Sequence, residues 1–477
     1  MPRAIHRRTA LAVSVATAAA LIGPALVLAP EAAAAPAAKP RVDFNGDGYG
    51  DVAASARNST VGSVKVAGQM VILYGSPTGT SAAHRQMLTA NTPALWSAFG
   101  TESAVGDFDA DGYSDLAVGA PATDDDRGAV TVFFGSPTGL GRGTALADPD
   151  PLTVPPTTNT ARTWGARLAA GDFDGDGKTE LLVGGAARTA NTTLYAFKGL
   201  APNAPATAAA RLVLPAALPS YVGGLAVGDV TGDGKDDLVA RTRTAGGSDS
   251  AYFVPGSATG LRTAAATLVP AGSLAVGDIN GDGFADVVTG QQSAGAHKGG
   301  QVLVSYGTAA GPSATLQVID QNTPGVPGAA EPGDGFGVAV SLGDINGDGR
   351  ADLAVGTCGE TTGDQSRAGA VTILYGSTKG LRTSAAQGFT RATAGVPGAL
   401  RRAEQFGAAV QLTDTNGDGL ADLFVGARDA DGIHHGSVTV LPATPLGATG
   451  TTSARLFTPQ SVGLPAAGSA LGASFAR

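Results

Sequence analysis

The chain has little of the chemistry that most enzymes and redox proteins rely on: one cysteine, Cys358, five histidines and two tryptophans in 477 residues. A lone cysteine excludes an internal disulfide framework, and so few histidines and cysteines argue against a zinc centre. Charged residues make up 15% of the chain, the formal net charge is −9, and no basic patch of the kind nucleic acid requires is present. Beyond the N-terminus no run approaches the ~18 apolar residues of a membrane span. G-x-S-x-G, H-E-x-x-H and paired Cys/His nucleophile patterns are all missing, and His434-His435 is the only histidine pair.

The N-terminus reads differently. Arg3, Arg7 and Arg8 precede an Ala-rich apolar stretch from Thr9 to Leu28, and the small residues Ala32 to Ala35 follow. This predicts a secretory signal over 1–35 and a short linker over 36–40. Gly23-Pro24 interrupts the stretch and argues against a membrane anchor, while Arg7-Arg8 leaves Sec or twin-arginine export open. Cleavage removes three Arg and one Glu, taking the charge from −9 to −11. The chain is then expected outside the cell.

Glycine and proline are abundant, 71 and 28 residues, yet 43% of the chain is hydrophobic and falls in short regular runs. Such glycines mark turns of an all-β protein rather than disorder.

Self-comparison finds one nine-residue pattern seven times. DFNGDGYGD offers Asp43, Asn45, Asp47, Tyr49 and Asp51 at positions 1, 3, 5, 7 and 9; DFDADGYSD offers Asp107, Asp109, Asp111, Tyr113 and Asp115; DFDGDGKTE offers Asp172, Asp174, Asp176, Lys178 and Glu180. DVTGDGKDD follows with Asp229, Thr231, Asp233, Lys235 and Asp237, and DINGDGFAD with Asp278, Asn280, Asp282, Phe284 and Asp286. DINGDGRAD and DTNGDGLAD complete the set with Asp344, Asn346, Asp348, Arg350 and Asp352, then Asp414, Asn416, Asp418, Leu420 and Asp422. Side-chain oxygens at 1, 3, 5 and 9 and the carbonyl of 7 form an oxygen-only shell, while Gly at 6 permits the tight turn. Ca²⁺ suits that shell better than Mg²⁺ or Zn²⁺, and up to seven structural ions are expected. The fourth loop is the weakest, with Thr231 at position 3, although Asp236 offers a further oxygen; its occupancy stays open.

An EF-hand would need Glu at position 12 and flanking helices. Position 12 here is Ala54, Val118, Val183, Ala240, Thr289, Val355 or Val425, and period-two alternation such as Leu116/Val118 and Leu353/Val355 predicts a strand. A second β-rich run ending in Gly follows each loop, as in Val71-Ile72-Leu73-Tyr74-Gly75, then a turn such as Ser76-Pro77-Thr78-Gly79 and a weaker strand. Four strands per repeat, at spacings of 49 to 70 residues, predict propeller blades and exclude nonapeptide β-helices.

These residues resemble the FG-GAP repeats of integrin α-subunits and of bacterial secreted proteins. The family's Phe-Gly before the loop and Gly-Ala-Pro after it stand here as Phe99-Gly100 and Gly119-Ala120-Pro121; Phe336-Gly337 with Gly356, and Phe406-Gly407 with Gly426-Ala427, are partial matches. Trp164-Gly165 with Gly184-Gly185-Ala186 is looser, and the fifth repeat lacks Phe-Gly. The first loop has no Phe-Gly strand before it, whereas Leu471-Gly472-Ala473-Ser474-Phe475 is similar to Phe406-Gly407-Ala408-Ala409-Val410. The expectation is a seven-bladed, all-β propeller over 41–477 in which 462–477 complete the first blade and close the ring.

Hairpin ends alternate between the two faces, so the calcium loops occupy one and the 2–3 and interblade loops the other. The resemblance implies that the second face takes ligands. It carries Asp124, Asp125, Asp126, Arg127, Gln291, Gln292, Glu360, Asp364, Arg367, Asp429, Asp431, His434 and His435. The expected role is a monomeric, calcium-stabilised, non-catalytic module for an extracellular protein or glycan; a carbohydrate-active enzyme is the alternative. Cys358, in the place of the Pro of Gly-Ala-Pro, reads as a small core residue.

Overall fold

Wherever an Asp-Gly loop ends, a run of Val, Leu and Ala begins, and in each case that run is the second strand of its own antiparallel sheet. The computed structural model describes residues 42–149, 163–185, 193–202, 208–213, 222–243, 249–293, 297–428, 435–444, 451–465 and 468–477. The expected export segment 1–35 and linker 36–40, and Asp429, Asp431 and His434, lie outside the described residues. Six sheets have four strands in chain order, for example Glu102–Gly106, Asp115–Ala120, Ala129–Phe133 and Thr144–Leu146. The first has three of its own, Val52–Ala56, Gln69–Leu73 and Arg85–Leu88. Among the described residues, helix is confined to Thr123–Asp126 and Thr263–Ala265. This is the expected seven-bladed propeller.

The fourth strand of blade 1 comes from the other end of the chain. Phe475 bridges Ala54 antiparallel, the Ser55 amide donates to Ser474 O at 2.9 Å, and the Ala476 amide to Ala53 O at 3.0 Å. The same segment meets its neighbours on both sides: Gln411 Nε2 of blade 7 donates to Ala476 O at 3.0 Å, and the Val105 amide of blade 2 to Arg477 O at 2.9 Å. Closure therefore satisfies strand edges that would otherwise stay open.

Each hydrophobic cluster draws on two adjacent sheets. Phe44, Ile72, Phe99, Leu116 and Phe133 pack together between blades 1 and 2, and Phe424, Val438, Leu471 and Phe475 between blades 7 and 1. Position 2 of every Asp-Gly loop is buried: Phe44, Phe108, Phe173, Val230, Ile279 and Ile345 wedge into these seams, and Thr415 stands at the same place in the seventh loop.

The seams explain the glycines. A Cβ on Gly356, at the end of the second strand of blade 6, would lie 2.0 Å from the carbonyl oxygen of Gly407 in blade 7. At the closure, a Cβ on Gly426 would lie 2.1 Å from Gly472 O. Backbone approaches backbone so closely that no side chain fits. Blade 1 carries Ser55 at the corresponding place, and its hydroxyl donates to Gly100 O at 2.6 Å instead.

Phe475 is buried and stands edge-on to Phe424 at 6.4 Å. Phe475→Ala should cost about 3–5 kcal/mol of unfolding free energy, and Gly426→Ala about 1–3 kcal/mol through overpacking. The exposed Val318→Ala should change stability by less than about 0.5 kcal/mol. Urea denaturation of the three variants measures all of this; equal midpoints would contradict closure as a stability element.

Candidate metal centres and the opposite face

The Asp-Gly loops are braced by their own side chains. In the first, Asp43 Oδ1 accepts the Gly46 amide at 2.6 Å and Oδ2 the Gly48 amide at 2.8 Å. Asn45 Oδ1 accepts the Asp47 amide at 3.1 Å, and Asp47 Oδ1 the Tyr49 amide at 3.0 Å. Loops 5, 6 and 7 repeat this set. The result is a tight turn with oxygens at positions 1, 3 and 5.

Position 9 has a second task that sequence reasoning missed. Asp51 is fully buried; its Oδ2 accepts the Phe44 amide at 2.8 Å and its Oδ1 the Gly75 amide at 2.9 Å, tying the loop to the end of the third strand. Asp115, Asp237, Asp286, Asp352 and Asp422 make the same two kinds of contact. Burial pushes the carboxyls of Asp51, Asp115, Asp286 and Asp352 up from 3.8 to about 7, and that of Asp237 to about 6, against these hydrogen bonds.

Loops also join one another. The Ser114 amide donates to Asp43 O at 2.9 Å, Asp236 to Asp172 O at 2.8 Å, Ala285 to Asp229 O at 2.9 Å, Ala351 to Asp278 O at 2.8 Å and Ala421 to Asp344 O at 2.7 Å. The Gly50 amide donates to Asp414 O at 3.1 Å and brings the first loop to the seventh. The candidate ligands thus form a belt around one face.

Ligand sets differ in how well they fit a hard cation. In the second loop, oxygens of Asp107, Asp109 and Asp115 lie within 4.8 Å of one another, and Asp109 Oδ1 is buried without a hydrogen-bond partner. A divalent ion bound there would satisfy that oxygen and relieve the mutual repulsion. Loops 1, 5, 6 and 7 offer Asp, Asn, Asp and Asp at positions 1, 3, 5 and 9, also oxygen-only. In the fourth, Lys235 Nζ already contacts Asp233 Oδ2 at 3.1 Å, and one oxygen of Asp236 accepts the Asp172 amide at 3.0 Å, turned to the neighbouring loop. The third gathers Asp172, Asp174, Asp176 and Glu180, but around Lys198.

The opposite face holds the 2–3 loops. Asp124, Asp125 and Asp126 form an exposed turn with left-handed φ of 52°, 54° and 64°, and Asp124 pairs with Arg127 at 2.9 Å. Other residues singled out from sequence make internal contacts: Gln291 Oε1 accepts from Gln301 Nε2 at 2.7 Å, Glu360 Oε2 from Gln321 Nε2 at 2.6 Å, and His435 is buried. Burial pushes the Cys358 thiol up, which disfavours the nucleophilic thiolate. Near the ring axis, Glu102 lies 3.2 Å from Arg167, within the field of Arg57 and Arg477, and Arg477 donates to Leu274 O at 2.8 Å and Val340 O at 3.3 Å. Sequence reasoning also passed over Leu95 and Trp96, which are 59% and 62% exposed.

The FG-GAP repeat family matches residues 99–133, 164–196, 271–305, 336–374 and 406–441, five of the seven blades. Phosphatidylinositol-glycan-specific phospholipase D of Bos taurus is 34% identical over 155 residues, covering 30% of this chain and 17% of that protein. Integrin alpha-PS5 of Drosophila melanogaster is 35% identical over 145 residues, 30% of this chain and 14% of its own. The chain thus spans less than a fifth of either relative's length. Among solved structures, a mutant of AofleA from Arthrobotrys oligospora aligns over 75% of this chain and 86% of its own, at 10% identity and a TM-score of 0.40.

The buried position-9 carboxyls set a pH dependence. A folded-state pKa raised above the ordinary 3.8 favours the neutral form, so its contribution is complete below about pH 4 and lost as pH rises through about 6–7. In excess chelator, the urea midpoint should therefore fall between about pH 5 and about pH 8. A flat or rising profile over that interval would show that the amide hydrogen bonds outweigh burial.

Proposed function

Taking as premise that the chain is a seven-bladed propeller built of FG-GAP repeats, we propose that it is a non-catalytic binding module exported from the cell. Calcium stiffens the loop belt, and an extracellular protein or glycan binds the opposite face. Among the described residues no helix is long and apolar enough to cross a membrane.

The observation that carries this reading is the pair Leu95 and Trp96, on the segment joining blades 1 and 2. Trp96 is 62% exposed with a left-handed φ of 59°, and its amide donates to Lys65 O at 3.2 Å, fastening it to the 2–3 loop of blade 1. A bulky residue in that backbone region is strained, and exposing indole beside leucine forgoes burial of a large apolar area. A flat aromatic held this way suits a sugar ring or an apolar side chain of a partner, and tryptophans at such places dominate binding energy. Arg57 and Arg428, which follow the second strands of blades 1 and 7, are close enough to repel each other and add positive charge to the same face.

A second reading, hydrolysis of a glycan or glycolipid, draws on the 34% identity to an enzyme, though over only 17% of its length. Turnover that survives mutation of a calcium loop but is lost on changing opposite-face acids such as Asp124 would establish it.

Two measurements test the proposal. Excess EGTA should lower the melting temperature by many degrees, since each site saturated at about 100 times its Kd adds about 2.7 kcal/mol; an unchanged melting curve removes calcium from the scaffold. Leu95→Ser with Trp96→Ser should abolish capture of ligand on a glycan array or in a surface-fraction pull-down while leaving the melting temperature in place. Undiminished capture would place the binding surface elsewhere.

A further inference from the structure

We propose that the third loop is a metal-independent station of the belt, in which the ammonium of Lys198 takes the position that calcium takes in its neighbours. The inference rests on the calcium reading of the other loops and departs from the expectation of seven equivalent sites. Lys198 follows the third strand of its blade, Thr193–Phe197. Its Nζ contacts Asp174 Oδ2 and lies 3.1 Å from Glu180 Oε1 and 3.4 Å from Asp176 Oδ2. Those are the oxygens of positions 3, 9 and 5.

Two departures from the repeat meet in this contact, and both belong to this blade alone. Position 9 is Asp in the other six loops and Glu here; the residue at the place of Lys198 is Tyr74, Phe134, Pro255, Tyr306, Tyr375 or Pro442 elsewhere. The extra methylene of Glu180 lets one carboxylate do two things. Its Oε2 keeps the loop contact, accepting the Phe173 amide at 2.9 Å, while its Oε1 reaches the ammonium. In the other blades that second oxygen accepts the amide at the end of the third strand, for instance Gly135 at 2.8 Å. Gly199 adopts a left-handed φ of 57°, unlike its counterparts Gly75, Gly135 and Gly376.

An ammonium and a calcium ion cannot share these oxygens. Calcium requires oxygens at about 2.3–2.6 Å around a single point, and Nζ stands among the same three carboxylates; two cations so close repel strongly. The tethered cation also has no translational freedom to lose on entering the site. Neighbouring lysines add to the effect: Lys178 acts on Asp176, and the Lys235 stem of the next blade lies against Gly175. The third loop is thus locked whether or not calcium is present.

Native mass spectrometry in calcium buffer tests this by counting ions. Lys198→Tyr, which installs the residue found in blades 1, 5 and 6, should carry one more ion than the wild type; an equal count overturns the proposal. Should that variant fail to fold, a second pair decides: Asp109→Ala in the second loop, which leaves no oxygen at position 3, should lose one ion and Asp174→Ala in the third none, whereas loss of an ion from Asp174→Ala overturns it. A wild type with no ions defeats the calcium reading of the other loops, and the Lys198 assignment is then still judged by whether Lys198→Tyr gains one.

Discussion

Everything in this molecule depends on how closely one blade's backbone approaches the next. At Gly356 against Gly407, and again at Gly426 against Gly472, the space for a methyl group is taken by a carbonyl oxygen. Close approach lets the inner strands and the position-2 wedges of successive sheets interdigitate into shared cores. It also explains the spelling of the repeat. The Phe fills the seam, the Gly beside it delivers the carbonyl, and the Gly after the second strand receives it.

The belt of Asp-Gly loops is a consequence of the same packing. Because the position-8 amides of loops 1, 2, 4, 5, 6 and 7 reach the position-1 carbonyl of the loop before, the conformation of one is felt by the next, through Gly50 to Asp414 at the closure. A cation settling one loop would therefore be felt at the junctions that loop makes. Position 9 joins belt to blade: Asp51, buried between two amides, holds the loop to the third strand. In blade 3 a lysine performs the settling from within the chain.

Much of this was legible in the residues. Seven copies of the loop, strand alternation after each and the likeness of Leu471–Phe475 to Phe406–Val410 led to seven blades and to closure, because repeat and periodicity are properties of local spacing. Other features were not legible. Lys198 lies 18 residues beyond Glu180 and looks like any surface lysine until the third strand returns it to the loop. Gln291 and Glu360 read as ligand-face polar groups, yet Gln301 meets the first across its own hairpin and Gln321 reaches the second from 39 residues away. Trp96 carries no pattern at all, and its exposure follows from the way its backbone is pinned to Lys65.

The amino-acid sequence by itself determined the number of blades, the place and oxygen chemistry of the loops and the pairing of the two chain ends, since each rests on spacing within a few residues or on a repeated word. The tertiary structure alone decided which loop carries its own cation, which carboxylates brace the blade as well as the loop, and which polar residues are consumed in internal contacts. Those are questions of what lies within about 3 Å across a seam or a hairpin, where hydrogen bonds and ion pairs are made, and distance in sequence says nothing about them.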